Sequence, residues 1–208
     1  MSTGVIIGVL GLLLCSSSSG AAALMMGGED DKKTGPSSPG PSTPPSGPPK
    51  GRYVQVIHTV AYDASGYDIC EKSRVINLQE IEVYDKSGTK ISQGMDVSSG
   101  RGFHALDGTG SRFVDGIVGN VENFGHTICD QNQSHNDFVK IDLGTSKEIG
   151  KVILYNRGDR DGRINGCKVQ ILGTDGTTLV KETPTISGAR YKHEYDFNAT
   201  SPSWKITA

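Results

Sequence analysis

The sequence predicts an all-β fold, an antiparallel β-sandwich, and three observations carry that prediction. Glycine fills 28 of 208 positions while aromatic residues make up only 6%, too much turn former and too little bulk for a helical bundle. Six stretches alternate apolar and polar residues with a period of two, as half-buried strands do. Past the N-terminal region no stretch sustains a 3.6-residue pattern.

The length has room for one domain of ordinary size with appendages, and three segments follow in order. From Gly4 to Gly28 there is no charged residue. As an N-terminal apolar helix this stretch would be about 37 Å long, enough for a bilayer core of about 30 Å. Gly4, Gly8 and the Ser16 to Gly20 run supply the small residues that let helices pack closely in membranes. Residues 1–28 are therefore read as a membrane segment. A cleaved secretory signal is the rival reading, since Val5–Leu14 has the length of its apolar core and Ala21–Ala23 could be cleaved, although no Lys or Arg precedes the run. A tail buried in a partner is the third.

Residues 29–50 read as a tether. Glu29–Lys33 mixes both charge signs, and Thr34–Lys50 holds seven of the nine prolines among Ser and Gly, a composition that favours extended polyproline II and reaches roughly 50 Å over seventeen residues. Residues 51–208 form the β domain. Its expected strands are Tyr53–Val60, Ile76–Tyr84, Phe138–Leu143, Ile149–Asn156, Gly166–Leu172 and Arg190–Phe197. In the third, Val139, Ile141 and Leu143 should face the core and Lys140 and Asp142 water. "DKSGTK" and "GTDGTT" are turn sequences with glycine at the φ > 0 position. In the last strand Tyr191, His193, Tyr195 and Phe197 share one face, expected to cover the core.

Of four cysteines, Cys15 lies in the apolar segment. Cys167 alternates with Val169 and Ile171 and reads as a small core residue. Cys70 and Cys129 lie in loop-like sequence, where a disulfide between them is available if the domain matures in an oxidising compartment. Asn132 and Asn198 head Asn-x-Ser/Thr sequons. The net charge of −2 comes with no basic stripe, which argues against nucleic acid as a partner. His104 and His135 lack a partner at zinc spacing, and no catalytic signature is present, neither a nucleophile elbow nor a phosphate-cradling glycine loop. The expectation is a protein that is not an enzyme and requires no cofactor.

An ordered series of motifs resembles a known superfamily: "FVDG" (Phe113–Gly116), "HT" (His126, Thr127), "FVKIDLG" (Phe138–Gly144), "KVILYNRGD" (Lys151–Asp159) and "RINGCKVQI" (Arg163–Ile171). They are similar to the discoidin, galactose-binding-domain-like β-sandwiches of the jelly-roll kind, and nearest to the fucose-binding F-type lectins. In that family a His and two Arg at one end of the sandwich grip sugar hydroxyls, so the resemblance implies carbohydrate binding through His126, Arg157 with Asp159, and Arg163. Arg presents donors in a fixed fork and His adds one bond, which suits the acceptor oxygens of a deoxy sugar. The other reading of these residues is an internal Arg157–Asp159 ion pair that pins the loop and a His126 hydrogen-bonded to backbone. The adjacent cysteine pair that lines the family's sugar site is replaced by Arg160 and Asp161. The family's calcium loop, Asp-Gly-Asn, is matched by Asp115 and Gly116, with Ile117 in place of the Asn. Asp115 is thus the candidate calcium ligand, one oxygen short.

The layout as a whole, a Gly/Ser-broken membrane segment, a Pro-rich tether and a β-sandwich, resembles membrane-anchored minor capsid proteins of large algal DNA viruses, such as those of chloroviruses. That likeness implies a structural protein held in a membrane through residues 4–28 and docked on capsid or other shell proteins, located in the virion between an internal membrane and the shell. The alternative is a lectin-like module, membrane-anchored or secreted, that binds a fucosylated glycan.

Overall fold

A computed structural model of the chain describes residues 47–105, 109–130 and 136–198, and the backbone of 203–207. The expected membrane segment and nearly all of the tether, Asn132 and His135 lie outside the described residues. Within them, no helix is long and apolar enough to cross a membrane.

The chain runs β1 (Lys50–His58), α1 (Ile69–Lys72), β2 (Asn77–Asp85), β3 (Asp96–Ser99), β4 (Gly125–His126), β5 (Phe138–Asn156), β6 (Cys167–Leu172), β7 (Leu179–Glu182), β8 (Lys192–Asp196) and β9 (Ser203–Thr207). Every ladder is antiparallel. One sheet has the order β3-β5-β1-β6-β7 and the other β4-β2-β5-β8-β9. β5 belongs to both. Its residues up to Glu148 pair with β1, and from Ile149 onward they pair with β2. Two expected strands, Phe138–Leu143 and Ile149–Asn156, are therefore one. The stretch between them bends the chain from sheet to sheet, with Gly144 at φ +75°, and does not reverse it. β3, β4, β7 and β9 were not expected. They are short, and β3 and β7 are largely exposed, so they carry little periodicity.

The period-two pattern holds where it was clearest. Val54 and Val56 of β1, Val139 and Ile141 of β5, and Cys167, Val169 and Ile171 of β6 are all buried in one core with Ile81, Val152, Leu154 and Phe113. Lys140 and Asp142 are only half-buried: Lys140 donates to the Gly176 carbonyl, and Asp142 takes both ends of the Arg52 guanidinium at 2.7 Å. His193, Tyr195 and Phe197 cover the core as expected, but Tyr191 is 40% exposed and turns its hydroxyl to Gln79. Both turn sequences form, Asp85 accepting from Ser87 and Thr89, and Asp175 from Thr177 and Thr178, ahead of Gly88 and Gly176 at positive φ. β2 departs from the pattern, because Gln79, Glu80 and Glu82 on it are buried along with its apolar residues.

At one end of the sandwich the β1–β2 loop, the residues preceding β4 and the β5–β6 loop come together. Polar bonds tie these loops to one another and to β1. Arg101 donates to the carbonyls of Ser73 and Ala61, Thr127 donates to Asp137, and His58 donates its backbone N–H to the Asp137 carbonyl. The Cys70–Cys129 disulfide forms, with 4.7 Å between the Cα atoms, and links α1 to the segment just after β4.

Candidate carbohydrate site

Asn77 opens β2 and is 2% exposed. Its Nδ2 donates to the Gly125 carbonyl, which fixes the side chain so that Oδ1 faces the β5–β6 loop. That oxygen accepts from Nη1 of Arg157 at 3.1 Å and from Nη1 of Arg163 at 3.3 Å. Two arginines meeting on a single neutral oxygen must be held there by other bonds, since their charges repel. Arg157 is held by Asp159, which takes its Nε and its Nη2, the latter at 2.8 Å. That pairing holds the Asp159 carboxyl below the usual carboxylate range. The guanidinium also lies over the Phe124 ring, 3.8 Å from its centroid. Arg163 sits in a 3-10 turn, Asp161–Ile164, and its Nη2 reaches Asp68, the residue that caps α1, at 3.4 Å. The backbone bond from Glu71 and the nearby Arg163 both hold Asp68 low.

His126 completes the group. Nε2 of its ring lies 3.3 Å from Nη1 of Arg163, and Nδ1 faces the Thr127 carbonyl. Nδ1 therefore carries the proton and donates, and Nε2 accepts. Burial pulls His126 down to about 4, helped by the positive charge of Arg163 and opposed by the Thr127 bond. The ring is neutral at pH 7, and its donor goes to the backbone. His126 thus orients Arg163, which differs from the hydroxyl-donating role the family resemblance implies.

The structure brings His126, Arg157, Asp159 and Arg163 together. Sequence reasoning missed four contributors. Asn77 is one, although a polar residue inside "VINLQ" was a signal. Phe124 is another, and His104 a third, its ring 5.3 Å from that of His126. The fourth is the place of the disulfide. Sulfurs of Cys70 and Cys129 and a ring nitrogen of His126 lie within 4.8 Å of one another, so a disulfide borders the cluster although Arg160 and Asp161 stand where the lectins have their cysteine pair. Both thiols are consumed in that bond, which leaves this trio without the thiolates a metal would need.

Asp115 does not fit a calcium site. Its Oδ1 accepts from the Ile117 backbone N–H and its Oδ2 from Nδ2 of Asn123, both at 2.8 Å. The neighbouring Gly116 N–H donates to Glu80. A hard cation needs a shell of oxygens, and this loop turns N–H donors toward its carboxylates. The physical reason is Ile117, which has no side-chain oxygen.

The arrangement places two arginines, an aromatic ring that carries one of them and a disulfide edge at one end of the sandwich. Residues 104–203 match the family model described as a NedA-like, galactose-binding domain. No curated protein and no solved structure matches the chain. The match and the two antiparallel sheets agree on an all-β, galactose-binding-like sandwich, a fold whose members serve as carbohydrate-binding or protein-interaction modules.

Proposed function

We propose that residues 51–208 are a non-enzymatic carbohydrate-binding module whose site is the cluster of Asn77, Phe124, His126, Arg157 and Arg163, with fucosylated glycans as its ligand class. The observation that carries the reading is the convergence of both arginines on Oδ1 of Asn77 beside the Phe124 ring. Sugars present hydroxyls on their edges and C–H groups on their faces, so a binding site pairs polar forks with flat apolar surface. A glycan array probed with the chain is the test. Binding to fucosylated glycans, weakened about ten- to a hundredfold by Arg157→Ala through the loss of one charge-assisted donor, is the expected result. No binding to any glycan, or binding that Arg157→Ala leaves unchanged, overturns the reading.

A protein partner is the second reading. Ile117, Val118 and Val121, 48%, 42% and 56% exposed, stand on the loop that leads into Phe124 and β4, and apolar side chains grouped on one loop mark interaction surfaces. Tethering to a membrane through residues 4–28 and a place among capsid or other shell proteins of a virion belong to the same proposal. Their support is the sequence of residues 1–50. Co-purification with a membrane-lined particle at fixed stoichiometry is expected, and recovery only in a soluble or secreted fraction would sink that part.

A further inference from the structure

Arg163 has a second environment. Together with Asp63, Cys70, Glu71, Arg74 and Gly162 it lines a cavity of about 140 Å³. Arg163 and Cys70 belong to both surroundings, so the cavity adjoins the His126 cluster. The cavity is built rigidly. Arg74 pairs with Asp63 and donates to the Asn165 carbonyl at 3.4 Å, and α1 is stapled by the disulfide. Arg74 is also the one non-glycine among the described residues at positive φ, +53°, a conformation that persists only where its surroundings enforce it and that concentrates at functional sites.

The lining defines what fits. Two guanidinium groups face two carboxylates, so the wall carries no net charge and gives an anionic ligand no advantage. Arg74 uses two of its five N–H donors on Asp63 and Asn165, and Glu71 accepts through Oε2 from the Tyr67 N–H. Donors and acceptors are therefore interleaved, which matches hydroxyl groups, since each can both give and take a bond. In size the cavity compares with the roughly 150 Å³ apolar cavity that holds a benzene ring, and it opens to solvent, so a pyranose seats one edge in it and keeps its remaining hydroxyls in water.

We infer that this cavity receives the neutral pyranose next to the sugar held by the His126 cluster, so that the module reads two consecutive units of one glycan. The inference rests on the carbohydrate reading above. Gly162 is the position to test it: it lines the cavity, and a Cβ there meets no atom within 4 Å, so Gly162→Leu adds bulk at the cavity wall without forcing the backbone to shift at its Cβ. Calorimetric titration of the full chain with L-fucose and with fucosyl-lactose compares one unit with several.

The wild type is expected to bind fucosyl-lactose about tenfold more tightly than fucose, a difference of about 1.4 kcal/mol. Gly162→Leu should abolish that preference and leave fucose affinity in place. Glu71→Gln, a near-isosteric change that keeps an oxygen for Tyr67, should narrow it, and an unchanged melting temperature shows that both variants fold. Equal affinity of the wild type for both probes, or a preference that survives both substitutions, overturns the second subsite and leaves the first reading standing. Failure of both probes to bind overturns the two together.

Discussion

Arg163 places a terminal nitrogen 3.3 Å from Nε2 of His126, a bond that lasts only while the imidazole is neutral. Burial keeps it so, pulling both His126 and the fully buried His58 down to about 4. In the unfolded chain a histidine takes up its proton near 6.5. Between about pH 6.5 and pH 4 the unfolded state therefore binds protons that the folded state refuses, and stability falls as pH drops, by up to roughly 2 to 3 kcal/mol for each residue.

Glu80 acts with the opposite sign. It is fully buried, accepts from the Gly116 N–H at 3.1 Å, and burial pushes its carboxyl up to about 8. As pH rises from about 4.5 to 8 the unfolded chain gives up this proton first, so stability is lost on the alkaline side. Above pH 6.5 only Glu80 of the three still acts. Thermal melting followed against pH should peak near pH 6.5 and decline by roughly 1 to 2 kcal/mol toward pH 8. Glu80→Gln should flatten the alkaline arm and steepen the rise between about pH 4.5 and 6.5, and an unaltered alkaline arm would refute the assignment.

Asn77→Ala removes the oxygen on which both arginines meet and the bond to the Gly125 carbonyl. Nη1 of the buried Arg163, which keeps His126, and Nη1 of the part-buried Arg157 then lose this acceptor, at a cost of roughly 1 to 2 kcal/mol. Urea unfolding measures it, and glycan binding should fall in parallel. A loss below about 1 kcal/mol would mean that the arginines hold their positions without Asn77.

The disulfide closes a loop with a sequence separation of 59, for which restriction of the unfolded chain accounts for about 4 kcal/mol. Reduction, or replacement of both Cys70 and Cys129 by Ser, should lower stability by roughly 2 to 4 kcal/mol. Because Cys70 borders the cluster and the cavity, the reduced chain should also bind glycan more weakly. Equal unfolding midpoints with and without dithiothreitol would contradict this.

Gly125 sits against the buried Phe113 ring so closely that a Cβ would lie 2.3 Å from it. Gly125→Ala forces that ring to move in a filled core and should cost roughly 1 to 3 kcal/mol, read from the melting temperature. Gly162→Ala, made in open space, is the control and should change little.

Strand content was written in local alternation. β1, β6 and both halves of β5 announce themselves because every second residue is apolar, and that periodicity is a property of chain neighbours. Cys167 could be placed in the core on the same ground, and folding leaves it buried and free. Where the pattern is short, as in β7, the same signal fails, and in β2, which was expected as a strand, it misses that Gln79, Glu80 and Glu82 are buried too.

The ordered motifs named the two arginines and the histidine, yet their joint geometry depends on partners far away in the chain. Asn77 lies 86 residues before Arg163, and Asp68 lies 95 before it. Such meetings are set by strand order, by the passage of β5 between the sheets and by the disulfide, none of which leaves a periodic trace. So composition and alternation together were enough to read this chain as a β-sandwich. Long-range closure turned His126 from a sugar donor into the acceptor that orients Arg163, opened a cavity beside it, and left Asp115 surrounded by donors instead of calcium ligands.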